Sequence, residues 1–166
     1  MAETIFVEIP EVTGDADDDK HKGWIVVHSM SFSVERMIDM NDLSSNQRSH
    51  ANTRFNQIEL VSSLGTASNN LMSAVVSGKS YREIKLHVCR PSKHSGNVLE
   101  AYSNWTLKDA IIDRYELQVD NGGTPEEAWA IAYSKIEHEY KSIDKKNGNL
   151  EKVNTFKWNL STGKAE

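Results

Sequence analysis

Apolar and polar side chains alternate with a period of two along most of this chain, and that rhythm confines it to strands buried on one face. Ile5, Val7 and Ile9 alternate with Phe6 and Glu8 until Pro10 ends the run. Residues 24–33 read as one strand, with Trp24, Val26, His28, Met30 and Phe32 on one side. Ile25, Val27, Ser29, Ser31 and Ser33 lie on the other, which turns from apolar to hydroxyl along its length. Further strands are expected at Phe55–Leu64, Tyr81–Arg90, Leu99–Leu107, Ala110–Val119 and around Phe156, Trp158 and Leu160. From Glu127 to Tyr140 the phase shifts: Trp129, Ile131 and Tyr133 share one parity, and Ile136, His138 and Tyr140 the other. A bulge near Ser134–Lys135, inserting one extra residue, would reconcile the two halves.

One segment departs toward a helix. Leu71, Met72, Val75 and Val76 share a helical face, Thr66 or Ser68 can cap its start, and Gly78 suits a left-handed stop. With no alternating strand–helix units, the expected fold is mainly β, an antiparallel β-barrel or sandwich carrying one short α-helix. The 166 residues suffice for one core, so a single domain over 1–166 is expected.

Residues 35–54 follow neither period. Met37, Ile38, Met40 and Leu43 precede the polar run 44–50, and about twenty aperiodic residues is long for a compact domain. These four side chains need burial, and a partner surface would supply it.

With 24 acidic against 19 basic side chains and no basic cluster, no nucleic-acid partner is expected. Lys145–Lys146 is a dipeptide beside Asp144. No apolar run approaches the roughly 18 residues of a membrane span, so no membrane insertion is expected. The start, Met1-Ala2-Glu3-Thr4, lacks the features of a secretory signal, which places folding in the cytoplasm and any export on another route. The single cysteine, Cys89, excludes an intrachain disulfide and reads as a packed side chain.

The apparent motifs dissolve on inspection. Gly78-Lys79-Ser80 lacks the phosphate loop's upstream glycine, since position 73 is Ser, and its helix precedes it instead of following. Asp15, Asp17 and Asp19 imitate a calcium loop, but Lys20 and Val26 stand where glycine and glutamate are needed. The six histidines give no zinc spacing. His87 and Cys89 share a strand face, yet i,i+2 neighbours sit too far apart for direct bonding in most rotamers. No catalytic residue, cofactor or metal is expected.

Four segments together resemble the haemolysin-coregulated protein family, Hcp. The stretch 14–32, with its acidic turn, His21-Lys22-Gly23 and the strand from Trp24 to Phe32, is similar to the family's signature turn and strand. Residues 71–79 resemble the family's single helix with its glycine cap, 131–140 a late strand, and 156–160 the terminal strand. Order and spacing agree over nearly the whole chain. His138 stands where the family usually has an aromatic, which implies wetter packing there, and Lys157 where glycine often precedes the terminal Trp158.

The resemblance implies a tube subunit of the type VI secretion machine and no enzyme. Six protomers would close a ring; rings would stack into a tube inside a contractile sheath, capped by a VgrG-like spike protein. Contraction would carry the tube from the bacterial cytoplasm to the outside or into a target cell. In such a ring Ser29, Ser31 and Ser33 would line the lumen and touch effector cargo. The segment 35–54 matches no part of the family pattern; its length and apolar content lead to the expectation that Met37, Ile38, Met40 and Leu43 form a ring-stacking loop packed against a neighbouring protomer or the next ring. The competing expectation is a free-standing, lectin-like β-sandwich.

Overall fold

The computed structural model describes residues 3–41, 53–94 and 98–166. The chain runs through β1 (Thr4–Glu8), β2 (Ile25–Val27), β3 (Ser29–Ser31), β4 (Val34–Arg36), β5 (Thr53–Phe55), β6 (Ile58–Ser63), α1 (Ser68–Ser77), β7 (Ser80–Pro91), β8 (Leu99–Gln118), β9 (Glu126–Ala132), β10 (Lys135–Ile143), β11 (Leu150–Asn159) and β12 (Lys164–Ala165). Every strand pair among the described residues is antiparallel. Among the described residues ten strands share one sheet. From β8 it runs one way through β7 and β1 to β2, and the other way through β9 and β6 to β3, with β10, β11 and β12 as a further branch. β2 and β3 meet only through His28 in the chain. The strands therefore wrap round one core without forming a closed hydrogen-bonded barrel.

Burial explains the wrapping. Val7, Ile25, Val27, Ile58, Leu60, Ile84, Leu86, Leu107, Ile112, Trp129, Ile131 and Ile136 pack into one apolar cluster with Leu71 and Ala74 of α1. β1 is covered on both faces. Val7 enters this core, while Phe6 joins Ala16 and Cys89 in a second cluster flanked by Trp24, Leu99 and Ala101. Gly14 is needed where the intervening turn folds back, because a Cβ there would lie 2.4 Å from the Trp24 carbonyl oxygen.

Several local expectations are corrected. The strand expected over 24–33 is two. β2 pairs with β1 and β3 with β6, and His28 turns the chain between them, its N–H donating to the Val61 carbonyl at 2.7 Å. The inward side changes parity at that turn: Ile25 and Val27 are buried before it, Met30 and Phe32 pack inward after it, and Val26 is exposed.

The two strands expected over 99–119 are one, β8, bent at Asp109 with φ +48°. Opposite this bend β9 gives way to β10 at Tyr133–Ser134, beside Ser134–Lys135, the expected place of an extra residue. No residue is inserted there. Ile111 faces Ala132 and Lys108 faces Lys135, three steps on either strand, so both strands change parity together. The extra residue lies on β8 at Asp113, between Ile112 and Arg114.

The helix has the expected span and a left-handed Gly78 with φ +65°, but Ala67 precedes it without a side-chain cap. The Ser68 hydroxyl instead accepts the Gly65 N–H, and Thr66 bonds Asp15. Its inner face is Leu71 and Ala74 with Val75, one step round from the expected stripe, and Val76 is 89% exposed. Residues 35–54 are not wholly aperiodic. Their flanks pair as a ribbon, Val34 with Phe55 and Arg36 with Thr53.

Candidate assembly surfaces and a buried histidine cluster

Because Met30 and Phe32 pack inward, the alternate side chains of the same stretch must point away from the core. Ser29, Ser31 and Ser33 are all exposed. Ser29 pairs with Val61 and Ser31 with Glu59 across the β3–β6 ladder, while Phe32 packs on Trp105 at 5.0 Å. The Ser33 hydroxyl accepts from the Asn56 amide at 2.7 Å. The result is an outward sheet face that offers hydroxyl donors and acceptors with little bulk.

The β4–β5 ribbon is the second surface. Phe55 packs back on the core beside Trp158, but the apolar side chains of β4 and the residues that follow it stay out: Met37 is 64% exposed, Met40 77%, and Val34 and Ile38 are also exposed. Glu35, Arg36 and Arg54 stand among them, with Arg54 4.0 Å from Glu35. Long apolar side chains grouped on a narrow ribbon are the kind of exposed patch that marks a protein contact. Leu43 lies outside the described residues.

The third feature is a polar cluster inside the fold. The turn between β1 and β2 carries Asp18 and His21, three residues apart. The Asp18 carboxylate lies 2.6 Å from His21 Nδ1. His21 is buried, stacked on Phe6 at 4.4 Å with Trp24 edge-on at 4.7 Å, and its Nε2 lies 3.0 Å from Nδ1 of His87 on β7. Asp18 fixes the tautomer: His21 donates through Nδ1, so its Nε2 accepts from His87. Burial, then His21, then Lys85 and Lys141 push the His87 pKa down to about 4, which keeps its ring neutral at pH 7.

Cys89 completes the group but supplies no nucleophile. Its histidine neighbour is His21, with Nε2 at 3.9 Å from the sulfur, instead of the His87 on its own strand. The thiol is fully buried, and burial followed by Asp18 pushes its pKa up to about 12, far from the thiolate a nucleophile needs. No group of three or more His, Cys, Asp or Glu among the described residues is placed to hold a metal.

The other apparent motifs have structural duties. Asp15 accepts from the backbone and hydroxyl of Thr66, clasping the turn to the approach of α1. Lys79, beyond the helix stop, pairs with Glu11 at 2.7 Å. His138 is half-buried. It stacks on Trp105 at 4.1 Å, bonds Ser103 at 2.8 Å, and is desolvated enough to lower its pKa. No helix among the described residues is long and apolar enough to cross a membrane.

Among the described residues the fold is an antiparallel sheet wrapped round one core, with one helix and a ribbon whose following residues hold exposed apolar side chains. The chain belongs to the Hcp family of type VI secretion system effectors, whose model it matches over residues 6–140. Its fold is similar to a structure described as a type six secretion system protein, with TM-score 0.85 and 24% identity over 99% of this chain and 100% of that one. It is also similar to Hcp1 from Salmonella typhimurium, with TM-score 0.76 and 21% identity over the whole of both chains. A type VI secretion system effector from Yersinia pestis matches with TM-score 0.69 and 19% identity, over 93% of this chain and 98% of the other. No curated protein sequence matches the chain. The family is one of structural tube proteins in a secretion system, not a family of enzymes.

Proposed function

We propose that this protein is the ring subunit of an expelled type VI secretion tube. Six copies close a ring, rings stack through the β4–β5 ribbon, and the tube travels with its spike out of a contractile sheath. The observation that carries this reading is the ribbon of a family member whose Met37 and Met40 remain mostly exposed in the single protomer. A heterologous contact that closes makes a ring, and a flat ring can stack. Mass determination after size-exclusion chromatography tests it. A hexamer is expected in dilute neutral buffer, and a clean monomer at tens of micromolar subunit would overturn it, more so if that monomer bound a sugar.

The serine face of β3 is proposed as the lumen wall, where weak hydroxyl contacts hold small effectors during export and favour their native state. Ser31, in the middle of the face, is the residue to change. Ser31→Gln adds bulk without charge at an exposed position. Hexamers should form normally, and the tube protein should still be exported, while the co-purifying effector is lost. Normal hexamers that keep and export their effector would remove these serines from the lumen.

A further inference from the structure

The contact between the His21 and His87 rings has room for one proton. We propose that Asp18, His21 and His87 form an acid-sensitive latch that holds the β1–β2 turn against β7. In the neutral pair, His21 Nδ1–H donates to Asp18 and His87 Nδ1–H donates to His21 Nε2, across 2.6 and 3.0 Å. One further proton, on His87 Nε2, leaves both bonds standing. A second puts hydrogen on both inner nitrogens and breaks the ring–ring bond.

Opened to water, both rings can charge below about pH 6.5. The open turn therefore holds at least one proton more than the closed one. Linkage then drives opening as pH falls, by up to about 10-fold per pH unit for each extra proton. The surroundings reinforce the direction. The turn brings Asp18 and Lys20 to His87, its own strand Lys85, β8 Glu100 beside the neutral Asn104, and β10 Lys141, while β1 places Phe6 opposite. Lys85 and Lys141 disfavour a positive ring at His87, each itself beside a carboxylate, Glu83 at 3.8 Å and Glu139 at 3.7 Å, and Glu100 is engaged by Arg90 at 3.1 Å. Two further observations show what the latch covers. Trp24 and Ala16 of the same turn close over Phe6 and Cys89, and Cys89 is fully buried.

Cys89 is the only cysteine, so its labelling by a pyridyl disulfide, a reagent that works in acid, reports the opening directly. The rate is divided at each pH by that of free cysteine. The expected result is a normalised rate flat above pH 6.5 that climbs below it by up to about 10-fold per unit for each extra proton, with the far-UV circular dichroism unchanged. His87→Asn should abolish the climb, because an amide can either donate to His21 or accept from it. A normalised rate independent of pH overturns the latch. So does an equal climb in His87→Asn, or labelling that rises only as the circular dichroism is lost. Should that variant not fold, 15N shifts of the imidazoles in the unaltered chain decide. Both rings should titrate together with the labelling, and rings that do not titrate across its rise contradict the proposal.

Discussion

Trp129→Ala is expected to cost about 4 kcal/mol of folding stability, the loss of the largest fully buried side chain. Two effects add. The cavity left in the core forfeits the apolar contacts of the indole, and the polar network round it loses a donor. Trp129 Nε1–H donates to the Ser62 hydroxyl at 3.1 Å, and that hydroxyl donates to Glu127 at 2.8 Å. The other Glu127 oxygen accepts from the Tyr115 hydroxyl at 2.6 Å. Burial, together with this bond to Glu127, pushes the Tyr115 pKa up to about 12, so the phenol remains a donor through the neutral range. Glu127 is itself only 2% exposed, and its carboxylate is tolerated because each oxygen receives a hydrogen bond. Urea titration followed by circular dichroism measures the loss. A cost below about 1 kcal/mol would mean that the site collapses round the smaller side chain and that the network does not anchor β6 to β9.

Met37→Asp combined with Met40→Asp is expected to abolish tubes and export while leaving rings intact. Both side chains are exposed in the protomer, so the double change should alter monomer stability by no more than about 0.5 kcal/mol. If the ribbon enters a contact with the next ring, two carboxylates are then buried without partners, and such a contact does not form. Sedimentation and imaging of the variant separate the stages. Rings without tubes agree with the proposed stacking role, whereas tube formation and export at the normal level would remove the ribbon from it. Loss of rings as well would relocate the ribbon to the contact within a ring.

The elements of this fold were legible in its sequence because period two and a glycine stop are local properties. The switch points were not. His28 has nothing unusual on either side, and the chain turns there because β2 and β3 belong to different neighbours, a fact settled by pairing with β1 and β6. The parity change at Tyr133–Ser134 was visible, but its cause lay on another strand, where Asp109 bends β8 at the same level. The helix stripe came out one step round for a similar reason: Ala74 is small and apolar enough to enter the core, and Val76 finds nothing to cover it. The exposed serines and methionines could be picked out by their places in the pattern, since they interrupt it. The Asp18–His21–His87 chain could not, because His87 reaches it from β7, 66 residues on. The one local signal was an aspartate three residues before a histidine in a turn, which puts carboxylate and ring within reach.

Assembly into rings is tested, without any partner, label or substitution, by electron micrographs of the purified protein in negative stain. Particles with a central hole and sixfold symmetry, some stacked end to end, are the expected result. A field of solid particles the size of one subunit, at concentrations where family tubes would have to form, would contradict it.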